Sequence, residues 1–252
     1  MSILKHAGNP SGAMVTSAES MLRAVKELGI VPFFQNPIRG YSIEELTPPE
    51  FWFDGDSDVL GPWDWKVDCV QSSEIAYGKF LWGGKAAFAT PLWYKELMNY
   101  RRSLPKYSPD AGQKELLTYL EQNGTISSKD IRRILGVKKS AADSVCSRLQ
   151  MQCRLITGDI TRVYRGPDLH YNGWQLSSFC NPEALFGPLA PATGQARAAH
   201  LCAKGPGGFP FVDDDEPEVR HSPEESYRLL FEHVKAICAP AATDAQIAKM
   251  LG

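Results

Sequence analysis

An α+β fold is predicted by three features of this sequence. Helices are announced by capping residues and closed by glycine, β-rich runs are broken by glycine-containing pairs, and near the middle the apolar period shifts from helical to alternating. The chain has 252 residues, 43% hydrophobic and 22% charged, ordinary globular usage that excludes disorder, fibre and coiled coil. Residues 1–15 carry none of these signals and read as a flexible tail.

A first helix spans about Thr16 to Leu28, and the capping box Ser42-Ile43-Glu44-Glu45 opens a short second one. Aromatic and acidic residues follow: Phe51-Trp52-Phe53-Asp54, then Asp56, Asp58 and Gly61-Pro62-Trp63-Asp64-Trp65. Tyr77 to Trp82 and Lys85 to Ala89 make a hairpin across Gly83-Gly84, after which Thr90-Pro91 opens a helix to about Arg102. Residues 16–107 therefore form an aromatic-rich α+β unit.

The next stretch, 108–166, is the most readable. Ser108-Pro109-Asp110 supplies an N-cap, an N1 proline and a first-turn acid for a helix carrying Leu116, Leu117 and Leu120 and ended by Asn123-Gly124. Thr125-Ile126-Ser127 is a short extended link. Ser127 with Asp130 begins a second helix, striped by Ile131, Ile134 and Leu135 and closed by Gly136. In a third, Ser140 to Met151, Ala141, Ala142, Val145 and Leu149 share one face, and Ser140, Asp143, Ser144 and Ser147 the other. Cys153 to Thr157 and Ile160 to Arg165 are β-rich and separated by Gly158-Asp159, a tight-turn pair. Helix, short strand, helix, turn, helix and hairpin is the order of a winged helix-turn-helix, with the third helix as recognition helix and the hairpin as wing. Residues 16–107 read as a distorted second unit of this kind, making a tandem. Residues 167–252 read as a loop-rich helical extension, with an exposed loop over Gly205 to Glu218 and helices opened by Ser222-Pro223-Glu224-Glu225 and Thr243-Asp244-Ala245-Gln246.

Charge gathers on the winged helix. Gly112 to Gly166 holds ten Lys/Arg against five acids, a net +5 that leaves −7 for the rest of the chain. Such an island is the electrostatic footprint of a polyanion partner, here double-stranded DNA. Lys138 and Lys139 would face phosphates, Ser140 and Ser144 would allow close approach, Arg148 would lie at the flank and Arg162 would reach the backbone from the wing. Asp143, on the same face, opposes phosphate unless it accepts from a cytosine amine. The bland alternatives are a solvated surface, or a winged helix used as a protein-interaction module without nucleic acid.

With Trp63-Asp64-Trp65, Tyr77-Gly78-Lys79-Phe80 and the helix Trp93-Tyr94 to Tyr100-Arg101-Arg102 in view, the chain from Met21 to Tyr164 resembles a group of bacterial proteins. They are distantly related to the AlkZ/YcaQ winged-helix DNA glycosylases, which excise alkylated or cross-linked purines. The resemblance implies DNA repair as the setting and a catalytic Gln-x-Asp or Gln-x-Gln element shortly after a helix ending in Leu-Gly. Here Leu28-Gly29-Ile30-Val31 runs into Pro32-Phe33-Phe34, with proline in the place of the glutamine and phenylalanine in the place of the acid. Neither has a lone pair or charge with which to position water or stabilise an oxocarbenium ion. Gln150-Met151-Gln152 has the letters of the motif but ends the recognition helix, where it reads as helix surface.

A rebuilt site is the alternative. Trp63 and Trp65 could flank a flat base while Asp64 accepts from an exocyclic amine, with Tyr77 nearby; the competing reading packs both tryptophans in the core. Asp54, Asp56 and Asp58 begin like an EF-hand loop, but Val59 and Trp65 stand where its glycine and bidentate glutamate belong, so a solvated acidic turn is expected. The five histidines and six cysteines show no ligand spacing, so no metal and no cofactor is expected, and the cysteines read as reduced, intracellular thiols. No apolar run reaches the ~20 residues of a membrane span, and no signal segment is read at the start, which places the protein in the cytoplasm. The expected function is binding of damaged or distorted DNA without chemistry, with an active DNA glycosylase rebuilt around Trp63-Asp64-Trp65 as the enzyme alternative.

Overall fold

The computed structural model describes residues 14–53, 61–189 and 221–252. The tail 1–13, Asp54, Asp56 and Asp58, and the loop 205–218 lie outside the described residues. Val15, assigned above to the tail, is fully buried and donates its N–H to the Leu46 carbonyl at 2.9 Å.

The chain is an α+β protein whose elements fall into two runs of one order. The first is α1 (Ala18–Leu28), β1 (Ile30–Pro32), α2 (Ile43–Leu46), α3 (Glu50–Phe53), α4 (Pro62–Gln71), β2 (Ala76–Leu81) and β3 (Lys85–Ala89). After α5 (Pro91–Ser103) comes the second: α6 (Ala111–Asn123), β4 (Thr125–Ser127), α7 (Ser128–Leu135), α8 (Lys139–Met151), β5 (Ile156–Arg165) and β6 (His170–Cys180). Each run closes an antiparallel three-stranded sheet of the same topology, β1-β3-β2 and β4-β6-β5. Then α9 (Pro182–Phe186), α10 (Pro223–Cys238) and α11 (Asp244–Leu251) follow.

Local chemistry explains most boundaries. Ser127, Ser222 and Thr243 each make the reciprocal capping box expected of them, satisfying two of the orphan N–H groups at a helix start. The α6 cap is displaced: Asp110, not Ser108, is the N-cap, because its carboxylate accepts from Gln113 N while the Gln113 side chain returns to Asp110 N. Gly29, Gly124 and Gly136 end their helices at positive φ, which costs glycine nothing.

The hairpin expected as a wing differs from that reading. Strand β5 runs straight through Gly158-Asp159, and the turn lies at Gly166 to Leu169, where both end residues have positive φ. Gly158 serves a close approach instead: a Cβ there would sit 2.9 Å from Cys180 Sγ, at a register shift between Thr157 and Asp159. Its partner strand β6 therefore lies past residue 166, in the stretch expected to hold helices and loops. In and on either side of the turn the hairpin exposes Tyr164, Leu169, Trp174 and Leu176, each more than half open to solvent.

Two apolar clusters form the interior. The smaller gathers Leu116, Leu120, Ile126, Ile131, Ala142, Cys146, Leu149, Leu155 and Phe179 within the second run. The larger spans the first run and takes in α10 and α11 through Leu230, Val234, Ile237, Ile247 and Met250. The C-terminal helices thus close on the N-terminal half. Asn99 donates to the His221 carbonyl and to Ser226 Oγ, both at 2.8 Å, and His221 Nδ1 meets Glu96 at 2.8 Å. Arg101, fully buried, donates to the last-turn carbonyls Met151 O at 2.8 Å and Leu251 O at 2.5 Å, capping α8 and α11 together. Among the described residues no helix is long and apolar enough to cross a membrane, and no His/Cys/Asp/Glu cluster could hold a metal ion.

Candidate nucleic-acid interface and the helix beneath the wing

Helix α8 is the third helix of the second run. Ala142, Cys146, Leu149 and Gln150 bury its inner side, while Ser140, Ala141, Ser144 and Arg148 follow at helical spacing on the exposed side, continuing Lys138 and Lys139 at its start. Ala141, expected inside, is outside, and Cys146 takes its place. Lys138 and Lys139 make no ion pair among the described residues; Arg148 reaches Asp110 only at 3.8 Å with both side chains largely in water, an interaction worth little. Asp143 is half-buried rather than central to the open side.

Gln150 is a correction. It is buried, not surface: its Oε1 accepts from Lys79 N at 2.8 Å, and Gly78 leaves the room, since a Cβ there would meet that oxygen at 2.8 Å. The pairing of β2 with β3 shifts register between Gly78 and Leu81. Lys79 Nζ meets Ser147 Oγ at 3.3 Å, so that flank of α8 faces β2.

Arg162 leaves the predicted DNA-contacting set. Its two terminal nitrogens hold both Asp68 oxygens at 3.0 Å and one also donates to the Asp64 carbonyl, so the guanidinium is neutralised and mostly covered on α4. Hydrogen bonding to Asp68 raises its pKa further, keeping the pair charged. Arg154 is likewise half-buried near Glu183 and Arg102.

The four residues grouped as a candidate pocket do not converge. Trp65 turns inward and packs on Phe51 at 5.3 Å between ring centroids, Tyr77 is buried against Phe88 and Phe33, and Trp63 alone stays open at 46% exposure. The reason is helical: Trp63 and Trp65 are two residues apart on α4, about 200° around the axis, and cannot flank one ring. Asp64 instead accepts from the Tyr171 hydroxyl and from Gln175 Nε2 at 3.2 Å, both from β6. Lys66, not singled out from the sequence, is buried at their centre. Its Nζ donates to Trp63 O at 3.0 Å and Gln175 Oε1 at 2.7 Å, lies 3.2 Å from the Trp63 ring centroid, and makes no ion pair among the described residues. Burial pushes its pKa down to about 7, with Asp64 opposing that shift. A lysine beside an aspartate and tryptophan on one helix was visible in the sequence; its covering by a strand a hundred residues on was not.

Strand β1, where the resemblance places catalytic groups, is apolar. Pro32 is buried and pairs with Ala87, and the Phe33 ring lies within 6.4 Å of Phe34, Trp52, Trp63, Tyr77 and Phe88. The described cysteines are buried free thiols, with Cys69, Cys146 and Cys238 pushed up to about 12, far from a reactive thiolate.

Comparison with known proteins agrees with the resemblance drawn from the sequence. No curated protein matches the chain. Among solved structures it is similar to the Streptomyces sahachiroi DNA glycosylase AlkZ, at 11% identity and a TM-score of 0.43 over 98% of this chain and 61% of that one. The chain thus spans about three fifths of that protein's length. A family model described as AlkZ related matches residues 15–199, well over half of the sequence, and the chain belongs to that family.

Proposed function

We propose that this is a cytoplasmic DNA-binding protein built on two winged helices, a non-catalytic or diverged relative of DNA glycosylases that recognises damaged or distorted duplex. The observation that carries this reading is the open side of α8, where Lys138, Lys139, Ser140, Ser144 and Arg148 lie together and the two lysines have no carboxylate partner among the described residues. Cations at the start of such a helix meet phosphates, and small hydroxyl residues behind them let the helix enter a major groove. Loss of the glycosylase element to Pro32 and Phe34 supports binding without base excision at strand β1.

Titrating duplex affinity against salt tests this reading. The logarithm of affinity falls linearly with the logarithm of salt, and Lys138→Ala and Lys139→Ala each reduce the slope by about one. Absence of binding at low salt overturns it in favour of protein docking.

A second reading, base excision at a rebuilt site, is favoured by one arrangement: Asp64 held by Tyr171 and Gln175 beside the open Trp63 ring. Incubation with alkylated duplex would then yield abasic sites, and Asp64→Asn would stop it.

A further inference from the structure

Lys66 is placed unlike any surface lysine of the molecule. It is 3% exposed, yet no carboxylate oxygen of the described residues lies within ion-pair distance of Nζ. Asp68, the nearest acid on the same helix toward the wing, is taken by both nitrogens of Arg162. Asp64 is taken by Tyr171 and Gln175, and the Gln175 amide bridges the two functions, accepting from Lys66 through Oε1 and donating to Asp64 through Nε2. A neutral amine in this setting spends its two N–H groups on Trp63 O and Gln175 Oε1, which leaves its lone pair under the Trp63 ring. That ring, half in solvent, is the one exposed group stacked over Nζ.

An unpaired, partly dehydrated amine is a nucleophile for carbonyl carbon. Intact DNA offers no aldehyde; an abasic site does, in the ring-opened form of its deoxyribose. We propose that Lys66 forms an imine with that aldehyde, making the chain an abasic-site lyase. This inference rests on the DNA-binding reading above. The missing base leaves a gap of one ring, and Trp63 swinging into it gives up its place over Nζ for stacking between neighbouring bases. The same movement uncovers the amine.

The chemistry balances without a further reagent. Nζ adds to C1′, and the carbinolamine, its hydroxyl taking up a proton from solvent, loses water to a protonated imine. The imine acidifies C2′, whose proton passes to the Asp64 carboxylate as its electron pair forms the C2′–C3′ double bond. The C3′–O bond breaks, and the downstream strand leaves with its 5′-phosphate. Water then hydrolyses the imine, releasing an unsaturated aldehyde and restoring Lys66. With a pKa lowered to about 7, a large share of Lys66 is the free-amine nucleophile at neutral pH.

The full chain is incubated with duplex carrying a single abasic site in the presence of borohydride, which reduces an imine to a stable amine. A covalent protein–DNA adduct mapped by mass spectrometry to Lys66 is expected, and Lys66→Met should abolish it. Mapping the wild-type adduct keeps the test valid if that variant does not fold. An adduct confined to other lysines, or none, overturns the inference. Binding to the tetrahydrofuran analogue, which has no aldehyde, separates the two claims. A protein that binds the analogue without trapping the abasic site is not a lyase but remains a DNA binder, whereas one that binds neither duplex refutes both.

Discussion

Helices α4 and α8 occupy corresponding places in two runs of identical strand order, yet one is covered and the other is open. The outer side of α4 is claimed by the second run's own hairpin: Arg162 holds Asp68, Tyr171 and Gln175 hold Asp64, and Gln71 Nε2 donates to Ile160 O at 3.0 Å. The open side of α8 carries lysine, serine and arginine with no such cover among the described residues. A duplicated topology has therefore been used twice for different ends, once to seat a protein strand and once to present cations to solvent. Polar side chains alone do not tell the two apart; what distinguishes them is whether acids on the helix find basic or hydroxyl partners within the same chain.

The contrast can be broken first at its foundation. Arg101→Leu removes the cap shared by α8 and α11 and leaves the Met151 and Leu251 carbonyls unpaired, and denaturation by urea should show a loss of about 3 kcal/mol. Next in size, Lys138→Ala with Lys139→Ala should weaken the loss of duplex affinity between 50 and 200 mM salt by about twelvefold, as two phosphate contacts require. Gln71→Ala on α4 should leave that dependence unchanged. Arg162→Met, which unfastens the β5–β6 hairpin from α4, should cost about 1 kcal/mol, because Asp68 is nearly half in solvent.

The smallest effects are those of pH. Lys66 has a folded pKa, about 7, below its unfolded value. The unfolded chain therefore binds more protons between the two, and stability rises with pH above 7 as the penalty of a buried charge is relieved. Lys66→Met should flatten that rise. His233, pushed down to about 4 by burial, acts in the same direction at lower pH, so stability falls as pH drops below the ordinary histidine range. His221 has the opposite sign. Hydrogen bonding to Glu96 raises its pKa, so its contribution is present below the ordinary histidine value and lost as pH rises through the raised one. Glu96→Gln should remove that component from a thermal denaturation series run across neutral pH.

Much of the architecture was legible in local chemistry. The caps at Ser42, Ser127, Ser222 and Thr243, the Gly83-Gly84 hairpin and the order of elements from Ala111 to β5 all follow from residues within a few positions of each other. What failed was nonlocal. Gly158-Asp159 imitates a turn because close strand approach and tight turning both ask for glycine, and only Cys180, twenty-two residues on, decides between them. Trp63, Asp64, Trp65 and Tyr77 looked like a group because they are near in sequence, but helical geometry sends Trp63 and Trp65 apart. Lys66 was passed over and Arg162 misread for the same reason: their partners Gln175 and Asp68 lie about a hundred residues away, and charge alone says nothing of what a side chain meets.

The β5–β6 hairpin is, mechanically, a beam braced close to its tip. Arg162, Tyr171 and Gln175 fasten it to α4 almost to its tip, so that only the turn at Gly166 to Leu169 projects past the last contact, and Trp174, between two of the fastening residues, is more than half in solvent. Gln175 alone joins the hairpin to the Trp63 carbonyl and to the amine under the Trp63 ring, so a substitution that loosens the hairpin there removes a support of that indole as well.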